Sequence, residues 1–62
     1  MIYAEKIKEY RNKVLITQTE LAEKLGVSFA SVNRWEKGKF EPTMSVKRKL
    51  KKLFIEAEIW EE

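Results

Sequence analysis

Apolar residues recur at helical spacing through most of the chain, and the polar residues between them mark where each helix begins and ends. Tyr3, Ile7, Tyr10 and Val14 fall at i, i+4, i+7 and i+11, a narrow stripe that predicts a first helix over residues 1–13 or so. Leu15 and Ile16 follow as a short connection placed to seal the core. Thr17, with Glu20 three residues on, is a capping-box signature, and Leu21, Ala22 and Leu25 behind it form the stripe of a second, short helix. Gly26 stands directly after Leu25, where helices most often end in a left-handed residue that glycine adopts cheaply. Ser28 is a second N-cap, and the segment from Phe29 to Lys37, ahead of Gly38, predicts a third helix with Val32 and Trp35 on its inner side. Pro42 stops any continuation. A fourth helix, starting near Thr43 or Ser45, carries Val46, Leu50, Leu53, Phe54 and Ala57 as its core face.

The end of the chain is harder to place. On a continued helical wheel Ile55 and Ile59 lie opposite Val46, with Trp60 back near the core side. No glycine or proline marks a turn, so residues 55–62 read as an extension of the fourth helix, an unmarked turn, or a frayed acidic terminus. Left outside, Ile55, Ile59 and Trp60 form a small apolar patch, a candidate homodimer contact. The elements together predict an all-α chain: one domain over residues 1–62, a compact bundle of four to five helices.

Residues 17–38 are helix, glycine turn, helix, the helix-turn-helix arrangement whose second helix lies in the DNA major groove. With Val32 and Trp35 turned inward, Ser28, Phe29, Ala30, Asn33 and Arg34 are the residues placed to reach base edges, and Ser31 lies nearer the rim. Arg34 can grip guanine O6 and N7 with two bonds, and Asn33 can do the same for adenine N6 and N7. Phe29 and Ala30 offer apolar contact to a thymine methyl; Phe29 equally suits packing on the domain or a protein contact.

The ordered set Gln18, Leu21-Ala22, Leu25-Gly26-Val27-Ser28, Val32, Arg34-Trp35-Glu36, Gly38 and Pro42, with Ile7 and Arg11 upstream, resembles the phage-repressor and Cro-like (XRE) helix-turn-helix family over residues 5–54. The resemblance implies a lambda-repressor-like fold and sequence-specific binding of double-stranded DNA by a repressor-like transcriptional regulator, usually a two-fold dimer. It also implies a partly buried Arg11–Glu36 ion pair locking the first helix to the third. By position alone Gln18 reads as an exposed first-turn residue; the resemblance makes it a phosphate or edge contact where the second helix begins. Lys37 and Lys39, around Gly38 with its exposed backbone N–H groups, resemble the family's phosphate-gripping loop, and Ser31 joins the phosphate set. Apolar Phe29 and Ala30 depart from members with polar residues there, which lowers the number of direct hydrogen bonds to bases.

Composition narrows the function classes. Sixty-two residues are near the lower limit for a core without staples, and there is neither cysteine nor histidine. Disulfides, thiolate metal sites and imidazole bases are therefore unavailable, and no catalysis, metal, cofactor or small-molecule substrate is expected. No apolar run exceeds four residues, so no membrane span is expected and a cytoplasmic, bacterial or phage-type setting fits. Residues 1–54 hold all thirteen Lys/Arg and six of the ten acids, whereas residues 55–62 hold four acids and no base. A basic body with an acidic end suits a polyanion partner. Lys6, Lys8 and Lys13, and most of Lys47, Arg48, Lys49, Lys51 and Lys52, read as solvated. The rival reading is a protein-interaction module, such as an antitoxin or adaptor, with DNA contact secondary. Phe29, Ile55 and Ile59 favour it; Arg34, Asn33 and the basic body oppose it. The DNA-reading domain of a longer repressor would show the same sequence.

Overall fold

The computed structural model describes residues 2–60, which form four helices: α1 (Ile2–Val14), α2 (Gln18–Leu25), α3 (Phe29–Glu36) and α4 (Met44–Glu56). Met1, predicted to begin the first helix, and Glu61 and Glu62, at the end of the acidic tail, lie outside the described residues. Three helices start on hydroxyl caps. Thr17 Oγ1 accepts the N–H of Glu20 at 3.0 Å while Glu20 Oε1 accepts the N–H of Thr17 at 2.8 Å, completing the capping box. Ser28 and Thr43 cap α3 and α4 in the same way, through the N–H groups of Ser31 and Val46.

All four helices end alike. A residue in left-handed conformation follows each: Leu15 (φ 60°), Gly26 (73°), Gly38 (75°) and Glu58 (62°). The next N–H then reaches back five residues, Ile16 to Arg11, Val27 to Ala22, Lys39 to Arg34 and Ile59 to Phe54. This closure satisfies carbonyls that a helix end would otherwise leave bare. Two of the four ends use no glycine, and both correct the sequence reading. Leu15 does not seal the core: it is 85 % exposed, because the left-handed step throws its side chain outward and turns Ile16 in. Ile59 is not on an outer face. The chain leaves the helix at Glu58, and Ile59 folds back into the core, 8 % exposed.

Ile7, Leu21, Leu25, Val32, Leu50 and Phe54 are fully buried at the centre, with Tyr10, Ala22, Trp35 and Val46 around them. α3 packs on both α1 and α2, while α4 closes the core against the same two helices. Val14, at the end of the α1 stripe, is exposed. The tail completes the packing: the Trp60 ring stacks on Phe54 at 5.7 Å and lies 5.5 Å from Tyr3.

Several lysines expected to be solvated hold this end in place. Lys6 Nζ donates to the carbonyl of Ile59 at 2.8 Å, and Lys13 Nζ donates to that of Ala57. Lys49 does the same for Leu25 at the end of α2, at 3.4 Å. Cations at helix C-termini meet the negative end of the dipole as well as unpaired carbonyls. Lys47 pairs with Glu41 at 2.6 Å and lies over the Tyr3 ring at 5.2 Å.

Candidate nucleic-acid interface

The Gly26 turn sets α3 on the domain with Val32, Trp35 and Glu36 buried. The opposite side of the helix is left to solvent. Ser28, Phe29, Ala30 and Arg34 are exposed, Phe29 by 51 %, and Ser31 and Asn33 are half-buried. The five residues assigned to base edges thus sit on or just ahead of one short helix. Ser28 Oγ is committed to the cap, accepting from the Ser31 N–H at 3.2 Å, and lies 3.0 Å from Ser31 Oγ. The Arg34 guanidinium rests over the Phe40 ring, 5.7 Å from its centroid. Sequence reasoning did not find that contact. The chain turns at Gly38, and Phe40, itself exposed, meets Arg34 beyond the turn, which no local pattern marks.

Behind this face lies the Arg11–Glu36 pair. Arg11 Nε reaches Glu36 Oε2 at 2.5 Å and Nη2 reaches Oε1 at 2.9 Å, a two-pronged contact, while Nη1 donates to the carbonyl of Ile16 at 3.2 Å. Glu36 is 5 % exposed. Burial pushes its carboxyl up, but hydrogen bonds from Arg11 and Gln18, with the charges of Arg11 and Lys8, outweigh it and hold the group below the ordinary glutamate value. The hydrogen bond to Glu36, and then its charge, raise Arg11 against the opposing effect of burial. Helices α1 and α3 are therefore joined by an ionised pair at neutral pH.

Gln18 is more committed than a first-turn residue facing a phosphate would be. Its Nε2 donates to Glu36 Oε1 at 3.1 Å, and its Oε1 accepts from Asn33 Nδ2 at 3.3 Å, which leaves one side-chain N–H. The loop after α3 also differs from the sequence reading. The N–H groups of Lys37, Gly38 and Lys39 donate to the carbonyls of Asn33, Trp35 and Arg34, so this closure hides the backbone donors expected to be exposed. Lys37 and Lys39 themselves are exposed, and their ammonium groups are what the loop can offer a phosphate.

Among the described residues no helix is long and apolar enough to cross a membrane, and no cluster of three or more acidic, His or Cys side chains is placed to hold a metal ion. The chain matches the Helix-turn-helix family profile over residues 7–54. It is 43 % identical over 49 residues to an uncharacterised HTH-type transcriptional regulator of Methanocaldococcus jannaschii, covering 79 % of this chain and 74 % of that protein. With an uncharacterised HTH-type transcriptional regulator of Archaeoglobus fulgidus it shares 35 % identity over 66 residues, 90 % of this chain and 93 % of that one. A protein of Pyrococcus furiosus provisionally named an HTH-type transcriptional regulatory protein is 44 % identical over 55 residues; the match takes in 89 % of this chain but only 18 % of that longer protein. No solved structure gives a significant match. With a family match that spans all four helices in part or whole, and relatives of similar length, the chain belongs to the XRE-type helix-turn-helix family.

Proposed function

We propose that the chain binds double-stranded DNA sequence-specifically and acts as a repressor-like regulator of transcription, with α3 in the major groove. The observation that carries this is the division of α3: Val32, Trp35 and Glu36 are buried against α1 and α2, while Phe29, Ala30 and Arg34 are exposed on the face turned away from those helices. Arg34 serves as the guanine reader and Asn33 as the adenine reader; Phe29 and Ala30 meet thymine methyls, and Ser28 lies at the helix entrance. Lys37 and Lys39, the remaining N–H of Gln18, and Ser31 contact phosphates, which set register without reading sequence.

The described residues extend at most 27 Å, less than the spacing of about 34 Å between half-sites one helical turn apart. One copy therefore reads one half-site, and a homodimer reads a two-fold site. Of the three apolar tail residues, Ile59 is buried and Trp60 is half-buried against Phe54, which leaves Ile55 exposed for a dimer contact.

A duplex selected from a random pool, titrated at several salt concentrations, tests the reading. Affinity should fall by about 0.9 log units per contacted phosphate for each tenfold rise in salt. Arg34→Ala should cost about 1–3 kcal/mol on the selected site and relax preference at one base pair. Equal loss on every sequence would make Arg34 a phosphate contact, and no binding at low salt would end the proposal.

A further inference from the structure

Three linked residue pairs, joined by four hydrogen bonds, run from the buried ion pair to the outer face of α3: Arg11 to Glu36 through two bonds, Gln18 to Glu36, and Asn33 to Gln18. Their direction is not arbitrary. A primary amide carries a donor at one end and an acceptor at the other, and its partners decide which way round it sits. An ionised carboxylate only accepts, so Glu36 requires Gln18 to turn its nitrogen inward. The oxygen of Gln18 must then face outward, and Asn33 can meet it only with its nitrogen. This leaves Asn33 with its oxygen and one N–H uncommitted, an acceptor beside a donor on the half-exposed side of the recognition helix.

We infer that Gln18 is a positioning residue which passes the polarity of the buried Glu36 carboxylate to Asn33, so that Asn33 presents the edge complementary to adenine. Adenine offers an N6 donor and an N7 acceptor in the major groove, the pattern that this oxygen and N–H match. The inference rests on the reading of α3 as the DNA-facing helix with Asn33 as its adenine reader, and adds to it a cause for that preference. Gln18 then acts on specificity as well as on affinity, which a phosphate contact alone does not.

Two measurements test it, one of them without DNA. In the free chain, the side-chain amide resonances of Asn33 should show one proton bonded and slow to exchange; Gln18→Leu should remove that difference, and an unchanged Asn33 signal overturns the relay. Gln18→Ala serves the same purpose if the leucine variant fails to fold. With DNA, the wild-type chain is titrated against the selected duplex and against copies altered at each base pair in turn. Asn33→Ala should abolish the adenine preference at one position, and Gln18→Leu should weaken preference at that same position by at least about threefold, out of the roughly 5- to 150-fold one bidentate pair supplies. A Gln18→Leu loss that is equal on all duplexes, or that falls on a different base pair from the Asn33→Ala loss, overturns the inference while leaving DNA binding intact. Absence of wild-type binding to any duplex overturns the DNA reading itself.

Discussion

Removing the Arg11 side chain strands the Glu36 carboxylate, which is 5 % exposed. Breaking a buried ion pair by deleting one partner costs about 3–5 kcal/mol. The lower end applies here. The Arg11 side chain is 20 % exposed, so water enters the space it vacates, and Gln18 and Lys8 still favour the carboxylate. Arg11→Ala should therefore cost about 3 kcal/mol, a large part of the roughly 3–9 kcal/mol that a chain this short holds in total. At about 4–8 °C per kcal/mol, the melting midpoint should drop by some 12–24 °C. The pH dependence identifies the cause. In the wild type the Glu36 pKa is lowered by folding, so its contribution is complete above the unfolded glutamate value, about 4.3, and is lost as pH falls from there through the lower folded value. In Arg11→Ala burial should win and raise the folded pKa above the unfolded one, which penalises the charged form near neutrality and relieves it on acidification. Far-UV circular dichroism melts of both proteins between about pH 7 and pH 4 should show a gap that narrows as pH falls. Removing both partners, as in Arg11→Met with Glu36→Leu, should restore stability to within about 1 kcal/mol of wild type or above it. A midpoint that hardly moves in Arg11→Ala, or a gap independent of pH, would refute this account of the pair.

Ile59→Ala should destabilise by about 2–4 kcal/mol, as expected of a core side chain, and should alter the fluorescence of Trp60 where it stacks on Phe54; a solvated tail would give neither effect. Leu15→Gly should stabilise by about 0.5–1 kcal/mol, since an exposed leucine at φ 60° is replaced by the residue that adopts that conformation without steric cost, and thermal melts would show the gain.

The sequence made the helix starts legible because each depends on a hydroxyl whose partner lies three residues away, as with Thr17, Ser28 and Thr43. The inner stripes of α2, α3 and α4 were legible for the same local reason. Helix ends were legible only where glycine stands in the left-handed position. Leu15 and Glu58 occupy the same conformation, and the long-range packing of Ile16 and Ile59 justifies their strain, which no local pattern encodes. One misplaced turn at Glu58 then misassigned Ile59, because a helical wheel has no meaning beyond the last helical residue. Lys6 is half-buried where spacing placed it in solvent, and the bonds that it and the exposed Lys13 make were not legible, since their acceptors exist only once the tail folds back. Within the candidate site, the residues facing out on α3 could be placed from spacing alone. The links between Gln18 and Asn33, and between Arg34 and Phe40, join different elements and required the fold.

The location of the ion pair bears on why it is there at all. If a methionine and a leucine would stabilise the α1–α3 seam as well as Arg11 and Glu36 do, stability is a poor reason for burying two charges in so small a domain. What an apolar pair cannot supply is an acceptor facing Gln18. Without it Gln18 loses its reason to turn nitrogen inward, and the Asn33 amide is free to sit either way round. The doubly substituted chain of the stability experiment is therefore also informative on DNA: it should remain folded, keep the salt dependence of its phosphate contacts, and lose preference at the base pair that Asn33 reads. Retention of that preference in a stable Arg11→Met, Glu36→Leu chain would mean that Asn33 is oriented by the base alone, and that the buried charges serve neither stability nor recognition.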